Sequence, residues 1–149
     1  MSLKIIERFE PSASGSVLYG YNPSDSEGGF YRMSINEGGV SLLDMTVGLV
    51  PAFNGDILHN GSRIYTTDGL AINPNTLTSI GSFANVPHVS PVAADSDSQK
   101  VFYAVATNSD WVVRAYRSDT FAAVADIPLT NVLGSPTHLV RCGADRFRA

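Results

Sequence analysis

The sequence predicts an all-β fold made of short antiparallel strands, and two observations predict it. The first is a run of three consecutive strand-like segments, Val101–Thr107, Trp111–Arg117 and Phe121–Ile127, each rich in β-branched and aromatic residues. The turns between them, Asn108–Asp110 and Ser118–Thr120, are built from residues whose short side chains hydrogen-bond back to the backbone. Such a meander needs a further apolar surface to be stable, so we expect the rest of the chain to supply one.

The second observation is that the last strand of this meander has counterparts elsewhere in the chain. The same apolar spacing occurs at Leu3-x-x-Ile6, Val40-x-x-Leu43, Leu77-x-x-Ile80 and Phe121-x-x-Val124, and successive copies are 37 or 44 residues apart. A repeat of about 40–45 residues with four short strands per unit is typical of a β-propeller blade. We therefore predict blades of four antiparallel strands in an incomplete ring of about three to three and a half blades. The alternative is a β-sandwich of short strands, which the alignment of whole units disfavours.

The predicted units belong to a single partial propeller domain over residues 1–149. They span residues 16–46, 56–83 and 89–128, and a further unit begins within residues 138–149. Their innermost strands are predicted at Asp56–His59, Ser90–Ala94 and Leu139–Cys142, whereas Leu3–Phe9 is predicted to be the last strand of a blade that is not otherwise present.

Charge and composition narrow the range of partners. The net charge is −4 and the pI is about 5.2, which argues against nucleic acid or an anionic membrane as the main partner. No segment approaches the roughly 20 apolar residues of a membrane helix, so no membrane insertion is expected. The lone Cys142 excludes an intramolecular disulfide framework. Met1–Lys4 lacks the apolar segment of a signal peptide, which leaves the compartment undetermined.

The segment Val92–Arg148 resembles the YVTN-type bacterial β-propeller repeat. The resemblance rests on the turn and strand DSDSQKVFYAV, on the meander TNSDWVVRAYRSDTFAAVADIPL, and on Gly134–Pro136 before the next innermost strand. The segment Gly61–Phe83 is similar to another variant of the same repeat. Two positions depart from the commonest pattern, because Tyr116–Asp119 replaces a hydrophobic-Asp-Thr turn and Cys142 replaces a larger side chain.

This resemblance implies a propeller fold and leaves the activity open. Proteins with such repeats include surface-layer and other extracytoplasmic proteins, lactonase-like enzymes and quinoprotein-like propellers. The resemblance therefore implies a periplasmic or extracellular setting. Because one fold hosts many functions, it does not choose among them.

Four residues are candidates for ligand contact near the predicted channel. His88 and His138 each precede an innermost strand and His59 ends one, so the three histidines are expected near the channel. Converging imidazoles can bind a metal, but these lack the close spacing of a metal motif. We therefore favour channel-lining histidines bonded to backbone or water, and predict neither a metal nor a cofactor. Trp111 begins a strand and is the candidate aromatic contact.

The tyrosines favour packing over ligand binding. Tyr19, Tyr65 and Tyr103 are predicted to occupy one column of the second strands. A column of aromatic residues in successive blades is expected to fill the space between those blades.

On this evidence we favour a non-catalytic scaffold that presents loops to a protein or a cell-envelope ligand. The alternative is part of a propeller enzyme with a site in the channel, catalysing lactonase-like metal-assisted hydrolysis or quinoprotein-like oxidation. An unclosed array leaves strand edges unpaired, so a protein partner or self-association is expected to complete the ring. In one arrangement, Leu3–Phe9 of one chain joins residues 138–147 of another.

Overall fold

A computed structural model describes residues 6–23, 28–50, 55–142 and 147–148 of the 149-residue chain. The described residues form 14 β-strands and no helix, so none of them lies in a helix that could cross a membrane. Twelve strands make three four-stranded antiparallel sheets, and the remaining two strands pair with each other. The fold is therefore all-β, and none of the three sheets is closed into a barrel.

Each four-stranded sheet follows the chain from its innermost to its outermost strand. The first sheet contains β1 (Arg8–Pro11), β2 (Val17–Tyr21), β3 (Gly29–Asn36) and β4 (Gly39–Val47). The second contains β5 (Ile57–Asn60), β6 (Arg63–Thr66), β7 (Leu70–Asn73) and β8 (Thr78–Ser82). The third contains β9 (Val92–Asp95), β10 (Lys100–Ala106), β11 (Trp111–Arg117) and β12 (Ala123–Leu129). The last sheet pairs β13 (Val140–Arg141) with β14 (Phe147–Arg148).

The innermost strands lie side by side in the order β1, β5, β9 and β13, and the sheets extend from them as blades. The predicted four-stranded antiparallel blades in an incomplete ring are confirmed. The prediction that Leu3–Phe9 is the last strand of a separate blade is wrong, because Phe9 lies in β1 and pairs with Gly20 of β2. Residues 3–5 lie outside the described residues.

The pairing of β1 also rules out one predicted assembly. The backbone of β1 is hydrogen-bonded to β2 as the innermost strand of its own blade. It therefore cannot serve as the outermost strand of a composite blade with residues 138–147 of another chain.

The main core lies between blades. At the first junction, Tyr19, Tyr21 and Phe30 of the first blade pack against Ile64 and Ile72 of the second. All five are at most 4% exposed. Burial of a side chain of this size stabilises the folded state by about 1.5–3 kcal/mol, so each blade depends on its neighbours for stability.

The second junction is organised around one phenylalanine. The ring centroid of Phe83 lies 5.1–6.0 Å from those of Tyr65, Tyr103, Tyr116 and Phe121. The interplanar angles are between 50° and 67°, which are the tilted and edge-on geometries that aromatic pairs prefer. The second junction is thus filled by rings from both blades.

The sequence repeat marks a structural irregularity that all three blades share. In each one, the pairing of the last two strands shifts by one residue at a β-bulge. The unpaired residue is Leu43 in β4, Ile80 in β8 and Val124 in β12, and these are residues that the repeat aligns. The alignment of the last strands is therefore confirmed, and the three side chains are between 38% and 56% exposed.

One predicted column is wrong by a single residue. Tyr19 and Tyr65 are equivalent, since each pairs with the residue just before the bulge in the neighbouring strand. In the third blade that position belongs to Phe102, not Tyr103, and a one-residue shift moves a side chain to the opposite face. The prediction that the three tyrosines belong to the core is confirmed, because blades are packed on both faces.

Each blade thus has two faces. The preceding face points toward the blade that comes before it in the chain, and the following face points toward the blade that comes after it. Ile64 and Ile72 lie on the preceding face of the second blade, in the core shared with the first blade. Val101 and Tyr116 lie on the preceding face of the third blade, in the core shared with the second blade. Phe102 lies on the following face of the third blade, packed with residues that include Leu139.

Candidate binding site at the channel mouth

A cavity of about 410 Å³, here called the mouth cavity, opens where β5, β9 and β13 begin. It has a charged wall from β1 and the start of β5, and an apolar wall from β9, β13 and their preceding loops. Because innermost strands of successive blades contribute to it, its shape depends on how those blades pack. A cavity of this size can hold a small molecule or a few side chains of a partner.

The charged wall consists of Arg8, Glu10 and Asp56. The Nε atom of Arg8 lies 3.8 Å from the Oδ1 atom of Asp56, and both side chains are about half exposed. The amide of His59 donates a hydrogen bond to Oε2 of Glu10 at 3.4 Å. Among the described residues Glu10 forms no ion pair, so two carboxylates face one guanidinium and the wall is acidic at neutral pH.

The apolar wall includes Val89, Val92 and Val140. Val89 has a φ of 62°, in the left-handed region that a β-branched residue rarely adopts. Its side chain is nevertheless 43% exposed. Strained backbone of this kind often occurs at binding sites, where the surrounding structure holds it in place.

The pKa of the Glu10 carboxyl is raised by its place in the mouth cavity. Burial raises this pKa above the ordinary value of 4.5, and the charge of Asp56 raises it further. The hydrogen bond from the His59 amide acts in the opposite direction and lowers the pKa. Ionised Glu10 is therefore less favourable in the folded state than in the unfolded chain.

Replacing Glu10 with glutamine should stabilise the protein at pH 7, because the amide can still accept the His59 hydrogen bond and carries no charge. Because the pKa is raised, the folded state binds more protons than the unfolded chain does. The destabilisation caused by ionised Glu10 is therefore absent below pH 4.5 and grows as pH rises. Urea unfolding at pH 7 and at about pH 3.5 should show stabilisation only at pH 7. A less stable Glu10→Gln protein at pH 7 would refute this, and Glu37→Gln in the exposed β3–β4 turn is the control.

The structure places the four sequence candidates in different settings. His138 lines the mouth cavity, and exposed His88 immediately precedes the cavity residue Val89. His59 instead stacks on Tyr19 at the first junction, with ring centroids 5.3 Å apart. Trp111 is half-buried at the start of β11, opposite Leu129 of β12.

Burial lowers the pKa of His59 below the ordinary value of 6.5. This matches its place against a tyrosine ring between two blades, where a charged imidazolium is poorly solvated. Within the described ranges, no group of three or more His, Cys, Asp or Glu side chains is arranged to hold a metal ion.

Sequence reasoning missed the charged wall. Arg8 and Glu10 lie in a four-residue strand that ends in proline and contains a single apolar residue other than that proline, so no strand pattern marks it. Only the position of this segment in the chain could have revealed it, since a first strand is expected before the second strand of every blade. Asp56 begins a predicted innermost strand and could have been found in this way.

A polar contact links the innermost strands at each junction. At the first it is the hydrogen bond that Glu10 accepts from the next blade. At the second, Nδ2 of Asn60 donates to the carbonyl of Ala94 at 3.4 Å. At the third, Asp95, whose side chain is 5% exposed, pairs with Arg141 at 2.7 Å. These contacts fix the spacing of the strands that surround the mouth cavity.

Comparison with known proteins adds no family assignment. No protein-family model matches the chain, and no curated protein matches it. The fold evidence is therefore the geometry itself: three four-stranded antiparallel sheets arranged as propeller-like blades.

Proposed function

We propose that this chain is a non-catalytic scaffold of the YVTN-repeat type that presents its channel mouth to a protein or cell-envelope ligand. The observation that carries the proposal is the mouth cavity, to which successive innermost strands contribute. The repeat assignment is supported by the quoted motif of Val92–Arg148, most of which forms the third blade. Rigid blades that present a shaped cavity at one end suit recognition.

The charge of the mouth cavity indicates which group it accepts. Glu10 and Asp56 outnumber Arg8 at the charged wall, and the whole chain carries a net charge of −4. Burial raises the pKa of Glu10, and a cation placed nearby would favour its ionised form. We therefore expect the ligand to present a basic group, with apolar atoms against Val89 and Val92.

Two peptides test this function, a decalysine and a decaglutamate, each titrated into isotope-labelled protein and followed by amide NMR. Decalysine should shift amide signals around the mouth cavity, and decaglutamate should not. The double variant Glu10→Gln/Asp56→Asn should weaken decalysine binding about fivefold. The charge-matched control Glu37→Gln/Asp110→Asn lies in exposed turns and should bind as the parent does. Equal shifts with both peptides, or binding insensitive to the double variant, would overturn the proposal.

A second candidate function is that of a channel enzyme, either lactonase-like or quinoprotein-like. One observation favours it, namely that a carboxyl with a burial-raised pKa lies in the same cavity as His138. Such a carboxyl can act as a general acid or base. Hydrolysis of γ-butyrolactone by the parent above the buffer rate, lost in Glu10→Gln, would support the hydrolase version; no rate above buffer, with or without added Ca²⁺, would reject that version.

A further inference from the structure

An asparagine-glycine pair lies at the hairpin that joins β5 to β6. Asn60 is the last residue of β5 and pairs with Arg63, so Gly61 and Ser62 are the two residues of the turn. Gly61 has a φ of 62°, whereas Ser62 is outside the left-handed region. Glycine at the first of two turn positions is typical of a type II′ hairpin. The pair is therefore held in a tight turn at the end of an innermost strand.

The atoms of this pair are open to water. Gly61 is exposed and Asn60 is half-buried. Among the described residues, the only atom within 4 Å of the position that a Gly61 Cβ would take is Cβ of Ser96, at 3.5 Å. The Gly61 amide donates no hydrogen bond to any described residue. Because glycine has no side chain, nothing on Gly61 hinders the approach of the Asn60 side chain to that amide.

The side-chain amide of Asn60 makes one contact across the second junction. Its Nδ2 atom donates to the carbonyl of Ala94 at 3.4 Å, which is longer than the usual range of about 2.7–3.2 Å. A bond of this length restrains the side chain weakly and leaves it able to turn toward the Gly61 amide. The same bond is nevertheless the polar contact that links β5 to β9.

We propose that Asn60 is a deamidation site, and that its reaction loosens the second junction irreversibly. Asparagine is among the thermolabile residues. The Gly61 nitrogen loses its proton to hydroxide and forms a bond to Cγ of Asn60. The bond from Cγ to Nδ2 breaks, and ammonia leaves after taking a proton from water. A second water molecule then opens the cyclic imide at either of its two carbonyls, which leaves aspartate or isoaspartate at this position.

Either product removes the contact between β5 and β9. An ionised carboxylate only accepts hydrogen bonds, so aspartate at this position opposes one acceptor to the carbonyl of Ala94. Isoaspartate also adds a methylene to the backbone, which disturbs the pairing with Arg63. Asn60 lies at the end of β5 opposite Asp56 of the mouth cavity, so this inference does not depend on the ligand of that cavity.

Ageing of the full chain, followed by tryptic peptide mapping, tests the reaction. Residues 33–63 form one tryptic peptide, which contains Asn60 and a second asparagine-glycine pair, Asn54 and Gly55. Asn54 lies outside the described residues, but Gly55 is buried, with a Tyr21 ring atom 3.4 Å from the position of an added Cβ. Fragmentation of the peptide should therefore show conversion at Asn60 before Asn54, and faster conversion at alkaline pH, where the Gly61 nitrogen loses its proton more readily.

Gly61→Ala is the chemical control, because its methyl group hinders the reacting nitrogen. Conversion of Asn60 should slow about tenfold or more, and circular dichroism checks that the variant is folded, since alanine is strained at this φ. The parent in urea supplies a comparison that needs no variant. Conversion at Asn54 ahead of Asn60, or an intact Asn60 in folded protein under conditions in which the unfolded chain reacts, would overturn the proposal.

Asn60→Asp tests the effect of the reaction on the second junction. Loss of the donor to Ala94 should lower the Tm by about 2–4 °C. The matched control Asn108→Asp makes the same change in the exposed turn between β10 and β11 and should leave the Tm unchanged. If both variants melt with the parent, deamidation does not loosen the junction and that part of the proposal is wrong.

Discussion

Replacing Phe83 with alanine is expected to lower the free energy of unfolding by about 3–5 kcal/mol. The side chain is 4% exposed and contacts aromatic rings of two blades, including Tyr65 of its own blade and Tyr103 of the next. Alanine would leave a cavity between rings that are fixed by their own strands and cannot collapse into it. Because a domain of this size is stable by only about 5–15 kcal/mol, this change removes a large part of that margin.

Urea unfolding monitored by circular dichroism measures the effect. Phe83→Leu is the matched control, because it keeps most of the apolar volume and should cost clearly less than the alanine variant. A loss below about 1 kcal/mol for Phe83→Ala would show that the second junction is loosely packed, contrary to the structure.

Replacing Asp95 with asparagine is expected to cost about 2–3 kcal/mol. The carboxylate is nearly buried, accepts a hydrogen bond from the hydroxyl of Ser98, and pairs with Arg141 at 2.7 Å. Asparagine keeps the size of the side chain but removes the charge that Arg141 neutralises. The contact between β9 and β13 should therefore weaken, and the third junction should open first.

The pH dependence of this effect follows from the direction of the pKa shift. The hydrogen bond from Ser98, and then the nearby Arg141, lower the pKa of Asp95 below its ordinary value of 3.8. The stabilisation is therefore present above pH 3.8 and is lost as pH falls through the lowered pKa. Unfolding free energies of the parent and Asp95→Asn should differ most near neutral pH and converge in acid.

The exposed pair of Arg117 and Asp119 supplies the control for Asp95. Its carboxylate and guanidinium lie 2.9 Å apart, but both side chains are more than 40% exposed. Asp119→Asn should therefore change stability little, because surface pairs are screened by water and salt. If Asp119→Asn and Asp95→Asn have equal effects, burial does not strengthen the third-junction pair and the prediction is wrong.

The sequence by itself determined the repeating architecture of this protein. Strand composition and turn residues are local properties, so the third blade was predictable from Val101–Thr107 and the two segments that follow it. The repeat spacing aligned Leu43, Ile80 and Val124, which proved to be the bulge residues of three successive blades. The repeat spacing is regular because each blade must present the same shape to its neighbour.

The tertiary structure alone decided which short strand joins which blade and which face each side chain takes. Arg8–Pro11 forms a strand because β2 and β5 lie beside it, not because of its own composition. Tyr103 and Phe102 are both buried, so only the pairing register distinguishes the faces on which they lie. The mouth cavity likewise joins Glu10 to His138, residues far apart in the chain, because contacts between innermost strands form only when the blades pack.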